Sequence, residues 1–183
     1  MSTPRLVADI RPGASGSSPG YLTVVGNTLY FRAFTLTNGY ELWKTDGTTT
    51  SLVADITPGE SSSSPGFLTA VGNTLFFAAT DPTSGRELWK TDGTTTSRVA
   101  DIRSGVFGSS PRYLTAVGNT LFFQAFDGIS GYELWKTDGT TTSRVADIRP
   151  GGAGSSSNPR NLTAVGNTLF FTADDGSSGR ELW

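Results

Sequence analysis

The tripeptide Glu-Leu-Trp returns four times at an almost constant interval, and this periodicity limits the fold more than any other feature of the chain. Trp43, Trp89, Trp135 and Trp183 lie 46, 46 and 48 residues apart. Gly26-Asn27, Gly72-Asn73, Gly118-Asn119 and Gly166-Asn167 keep the same step, as do Asp9, Asp55, Asp101 and Asp147 within Ala-Asp-Ile. The last interval grows by two because residues 149–160 carry two extra positions. A period near 46 falls in the range of propeller blades, and no apolar spacing of three and four suggests a helical repeat.

Each unit resolves into four short strands. Leu22-Thr23-Val24-Val25 is the first, closed by the hairpin signal Gly26-Asn27. Thr28 to Phe34 is the second, matched by residues 74–80, 120–126 and 168–174. Leu29, Phe31 and Ala33 alternate with Tyr30, Arg32 and Phe34, so both faces carry aromatic residues and the strand is expected between two neighbouring sheets. Glu41 to Thr45 is the third strand. It ends at Asp46-Gly47, repeated at Asp92-Gly93 and Asp138-Gly139, where glycine supplies a positive φ. Thr49 to Ile56 is the fourth, followed by a Gly/Ser/Pro loop.

One four-stranded meander per repeat defines an all-β fold, a β-propeller of four-stranded antiparallel blades with four blades per chain. The whole chain, 1–183, is one repeat domain, with units at about 11–56, 57–102, 103–148 and 149–183. The small Leu-Thr-Ala-Val strands are expected innermost. Residues 4–10 read as a fourth strand with no third before it, and Glu181-Leu182-Trp183 as a third with no fourth after it. Pairing of these ends within one chain gives a four-bladed monomer. Pairing across two chains gives an eight-bladed homodimer.

Composition narrows the chemistry. Histidine and cysteine are absent, which removes the commonest general base, thiol catalysis and the commonest metal ligands. The formal net charge of −2 shows no clustered Lys/Arg run of the kind nucleic-acid binders carry. No stretch approaches the roughly 20 apolar residues of a membrane helix. No cofactor, metal or enzymatic activity is expected.

The run Glu-Leu-Trp-Lys-Thr-Asp-Gly-Thr at 41–48, 87–94 and 133–140 resembles the bacterial repeat family named for its E-L-W-x-x-D-G-T motif. That resemblance covers essentially the whole chain and implies a secreted or surface location, with no activity to carry over. Thr-Asp-Gly-Thr-Thr-Thr-Ser is identical at 45–51, 91–97 and 137–143, which points to recent amplification of one repeat or to deliberate building of a symmetric protein.

The candidate sites are modest. Asp46, Asp92 and Asp138 read as turn residues, since a calcium loop needs several alternating carboxylates. Asp9, Asp55, Asp101 and Asp147 would form a cation-binding ring if they converged, and otherwise accept backbone N–H groups from the loops that follow. Glu41, Glu87, Glu133 and Glu181 share a strand face with Trp and suit a structural bond or an exposed rim. Tyr40 and Tyr132 alternate with Arg86 and Arg180 beside variable loops, where a sugar or peptide would bind. Two readings of function follow: a non-catalytic scaffold that self-assembles with its own copies, and an extracellular module that binds carbohydrate or a surface partner.

Overall fold

The computed structural model describes residues 3–183. Its fifteen strands form four antiparallel meanders. Blade 1 holds β1 (Gly20–Val25), β2 (Thr28–Thr35), β3 (Gly39–Thr45) and β4 (Thr50–Ala54). Blade 2 holds β5 (Gly66–Val71), β6 (Thr74–Asp81), β7 (Gly85–Thr91) and β8 (Thr96–Ala100). Blade 3 holds β9 (Arg112–Val117), β10 (Thr120–Phe126), β11 (Tyr132–Thr137) and β12 (Thr142–Arg144). Blade 4 holds β13 (Arg160–Val165), β14 (Thr168–Asp174) and β15 (Arg180–Leu182).

Turn chemistry sets the register of each meander. Gly26 takes a φ of 56° and lets β1 fold straight back on β2, so that Val25 faces Thr28. The turn between β3 and β4 is a four-residue loop closed by side chains. The Asp46 carboxylate accepts N–H bonds from Thr48 (2.8 Å) and Thr49 (2.7 Å) while Gly47 holds a φ of 88°. Thr45 Oγ1 accepts the Gly47 N–H at 3.0 Å and donates to the Thr49 carbonyl at 2.9 Å. Asp92-Gly93 and Asp138-Gly139 repeat the arrangement, so these positions are turn makers, as their sequence suggests.

The blades stack through their innermost strands, β1 beside β5, β5 beside β9 and β9 beside β13. A threonine bridges each pair of inner strands. Thr23 Oγ1 donates to the Leu68 carbonyl at 3.3 Å, Thr69 to Leu114 at 3.4 Å and Thr115 to Leu162 at 3.3 Å. Larger side chains fill the widening wedge between the sheets. Tyr30 and Leu42 of blade 1 pack on Leu75, Phe77 and Ala79 of blade 2, and Phe76 and Leu88 of blade 2 pack on Leu121, Phe123 and Ala125 of blade 3. In blades 1–3 the second strand is thus buried on both faces. In every complete blade its central Phe lies opposite the repeat tryptophan: Phe31 with Trp43, Phe77 with Trp89, Phe123 with Trp135. Full burial of one such Leu or Phe is worth about 1.5–3 kcal/mol.

Beyond shifts at the ends of the third and fourth strands, two features differ from the sequence expectation. The first strand begins at Gly20 or its equivalent rather than at Leu22, because a bulge follows that glycine. Tyr21, Phe67, Tyr113 and Asn161 occupy the bulge with φ of 54–57°, a conformation costly for all but asparagine. Residues 4–10 form no strand, since no third strand lies beside them to share hydrogen bonds.

Candidate functional site

Each blade is latched to the loop that leads into the next. Glu41, Glu87 and Glu133 are fully buried. Glu41 Oε1 accepts the Ser63 N–H at 2.6 Å and Oε2 accepts the Ser63 hydroxyl at 2.5 Å. Glu87 takes the same pair of bonds from Ser109, and Glu133 takes them from Ser157. Burial pushes the carboxyls of Glu41 and Glu87 up to about 7 and raises that of Glu133, against the pull of the serine bonds. These carboxyls are structural. The serine half of the latch was not singled out by the sequence reading, although Ser17-Ser18-Pro19, Ser63-Ser64-Pro65, Ser109-Ser110-Pro111 and Ser157-Asn158-Pro159 recur in register.

The aspartates of Ala-Asp-Ile neither converge on a cation nor cap the loops that follow. Asp55 accepts a bond from Asn38 Nδ2 at 2.7 Å, Asp101 lies 3.7 Å from Arg98 and Asp147 lies 3.7 Å from Arg144. Among the described residues no three carboxylates approach closely enough to share a metal. Arg98 and Arg144 lie three residues before Asp101 and Asp147 on the same segment, and Asn38 reaches Asp55 from the loop between β2 and β3.

Tyr40, Arg86, Tyr132 and Arg180 sit at equivalent positions at the loop end of the third strand. The tyrosines pack on the second strand, Tyr40 on Phe34 with centroids 5.0 Å apart and Tyr132 on Phe126 at 5.1 Å. Arg86 donates to the carbonyls of Ser64 (2.9 Å) and Ala78 (3.2 Å), and Arg180 repeats the pose on Asn158 (3.0 Å) and Thr172 (3.2 Å). All four therefore have packing roles, and the Arg86 guanidinium keeps donors free.

The two ends of the arc are the largest departure from repetition. No contact comparable with those between successive inner strands joins β13 back to β1, and β15 pairs with β14 alone among the described strands. On blade 1, Leu22 and Val24 are 63% and 61% exposed. Leu6, Val7, Ala8 and Ile10 lie over Leu22, Leu29 and Phe31 around a cavity of about 240 Å³. Val53 and Ile56 lie over Leu68, Leu75 and Phe77 in the same way. Residues 6–10 thus occupy the place that the fourth strand of a preceding blade would take. Arg5 secures them with a 3.0 Å bond to the Gly47 carbonyl. On blade 4, Val165 and Leu182 are 60% and 71% exposed, and Phe170 is partly so. Their equivalents Val25, Leu42 and Tyr30 are buried against blade 2. Glu181 is exposed, and Ser17, the counterpart of Ser63, has a carbonyl bonded to Phe34 N–H but no carboxylate on its hydroxyl.

The described architecture is that of a repeat protein, an open arc of propeller blades. No family model matches the chain, and no curated protein matches it. The likeness to the E-L-W-x-x-D-G-T family is therefore one of motif. Among solved structures, the computationally designed protein Ika8 is 19% identical with a TM-score of 0.49, over 94% of this chain and 47% of that one. The xyloglucan-locus protein GH43B of Bacteroides ovatus is 15% identical with a TM-score of 0.43, over 91% of this chain and 37% of that one. The chain spans less than half the length of either.

Proposed function

We propose that the chain is a non-catalytic structural scaffold whose two copies join blade 4 to blade 1 twice over, giving a closed eight-bladed homodimer. The observation that carries this reading is the placement of residues 6–10. They present a fourth-strand segment, already seated on blade 1, whose missing neighbour is a third strand such as β15 of a second copy.

Every contact the junction needs has a template inside the chain. Val165, Phe170 and Leu182 would enter the cavity over Leu22, Leu29 and Phe31 as Val25, Tyr30 and Leu42 meet blade 2. Glu181 would accept the Ser17 N–H and hydroxyl, as Glu41 accepts those of Ser63. Thr163 would donate to the Leu22 carbonyl as Thr23 donates to that of Leu68. Two-fold symmetry makes both junctions alike, so no open end remains.

Light scattering coupled to size-exclusion chromatography, run over a concentration series, tests the proposal. The expected mass is twice 19.3 kDa. A mass of 19.3 kDa that persists at high concentration, or a series of masses growing without limit, overturns it.

A further inference from the structure

The loop end of the inner strands gathers arginines that have no acidic partner. Arg32 ends the pairing of β2 with β1, Arg86 is the second residue of β7 and Arg112 begins β9. Three other arginines do have acidic partners: Arg98 with Asp81 and Asp101, Arg144 with Asp127 and Asp147, Arg149 with Asp174. Among the described residues no carboxylate lies within ion-pair distance of Arg32, Arg86 or Arg112.

The blades are shaped unequally around this cluster. Where blade 1 has Arg32 and blade 3 has Gln124, blade 2 has Ala78, paired with Gly66. The small pair leaves room that Arg86 and Tyr21 occupy. A Cβ on Gly66 would lie 3.1 Å from Arg86 Nη2 and 3.7 Å from the Tyr21 ring. Tyr21, held in the bulge with a φ of 57°, also carries the Arg32 guanidinium 4.7 Å from its ring centre, and Tyr40 flanks the same guanidinium at 4.8 Å. Arg32 Nε is buried with no hydrogen-bond partner.

We infer that Arg32, Arg86 and Arg112, with Tyr21, form a binding site for an oxyanion, the carboxylate, sulfate or phosphate ester of an acidic ligand. Planar guanidinium forks match such groups through paired N–H bonds, and the two backbone bonds of Arg86 leave three of its five donors free. Burial, with the charges of Arg112 and Arg32 nearby, lowers the Arg86 pKa despite the opposing influence of Tyr21, and an anion beside the guanidinium would relieve that cost. The site lies within blades 1–3 of one chain and stands whether or not two chains close into a ring.

Titration of the full chain at constant ionic strength, followed by the arginine Nε–H signals in ¹⁵N–¹H spectra, tests the inference. The probes are inorganic sulfate, glucuronate and, as the neutral comparison, glucose. Saturable shifts at Arg32 and Arg86 are expected with sulfate and with glucuronate, and none with glucose. Arg32→Met breaks no hydrogen bond of its own and is expected to weaken sulfate binding tenfold or more. Arg86→Met should do the same, while Arg98→Met, at the paired rim, should leave affinity unchanged. A linear response without saturation, an equal response to glucose, or equal loss in Arg98→Met overturns the assignment.

Discussion

Replacement of Glu87 by glutamine isolates the energetic cost of the blade latch. The Glu87 carboxyl is fully buried, and desolvation raises its pKa from 4.5 to about 7. A group whose folded pKa is raised stabilises the fold fully below its unfolded pKa and loses that contribution as pH climbs through the folded value. A rise of this size corresponds to about 3 kcal/mol between pH 4.5 and pH 8. Glu41, raised to about 7, adds a similar amount, and Glu133 shifts in the same direction. The aspartates act with the opposite sign but outside this window. Asp81 is lowered to about 2, its serine and threonine bonds outweighing the opposing burial, and Asp46, Asp92 and Asp138 are lowered by the backbone N–H groups of their turns. Their contribution is lost only below about pH 4. The chain should therefore be most stable near pH 4.5 and weaken toward pH 8. Glutamine keeps an oxygen for the Ser109 N–H and offers its NH₂ to the Ser109 hydroxyl, with no charge to bury. Urea unfolding at pH 5 and pH 8 should show the pH-dependent loss reduced by about 3 kcal/mol in Glu87→Gln, or roughly 6–12 °C in Tm at pH 8. A wild-type chain more stable at pH 8 than at pH 5, or an unaltered pH dependence in Glu87→Gln, would refute the reasoning.

Three further outcomes follow from the packing. Gly85→Ala places a Cβ 2.6 Å from the Gly108 backbone nitrogen at a φ of 69°, so it should cost at least about 2 kcal/mol more than Gly72→Ala, where the Cβ meets nothing within 4 Å; chemical denaturation of the two variants compares them. Phe77→Ala removes a fully buried ring between blades 1 and 2 and should cost about 3–5 kcal/mol in the same assay. Leu182→Glu alters an exposed side chain and should change the unfolding free energy of one chain by no more than about 0.5 kcal/mol. It should nonetheless hold the mass at 19.3 kDa over the whole concentration series.

The repeat made the strands legible. Alternating residues on the second strand, the Gly-Asn turn and the Asp-Gly loop each carry a local rule, and each appears where its residues stand. The small Leu-Thr-Ala-Val strands do lie innermost. The latch was half legible: the glutamates drew attention as repeated carboxyls, but Ser63, Ser109 and Ser157 sat in loops that looked like spacer. Only the fold brings a serine 22 residues away onto a buried carboxylate. Residues 4–10 resemble β4 closely, yet a strand exists only beside a partner, and their sequence could not say where that partner lies. The arginine cluster was least visible, because Arg32, Arg86 and Arg112 come from three blades and occupy three different places in the repeat.

The latch also orders events in time. Each glutamate reaches forward by 22 residues, or by 24 in the last pair, and never backward. On a ribosome, a blade therefore stays unlocked until the loop of its successor has emerged. At about 5–20 residues per second, that interval lasts roughly 1–5 s. During it the exposed sheet face can meet only chain already made, so the arc assembles one blade at a time from its amino end.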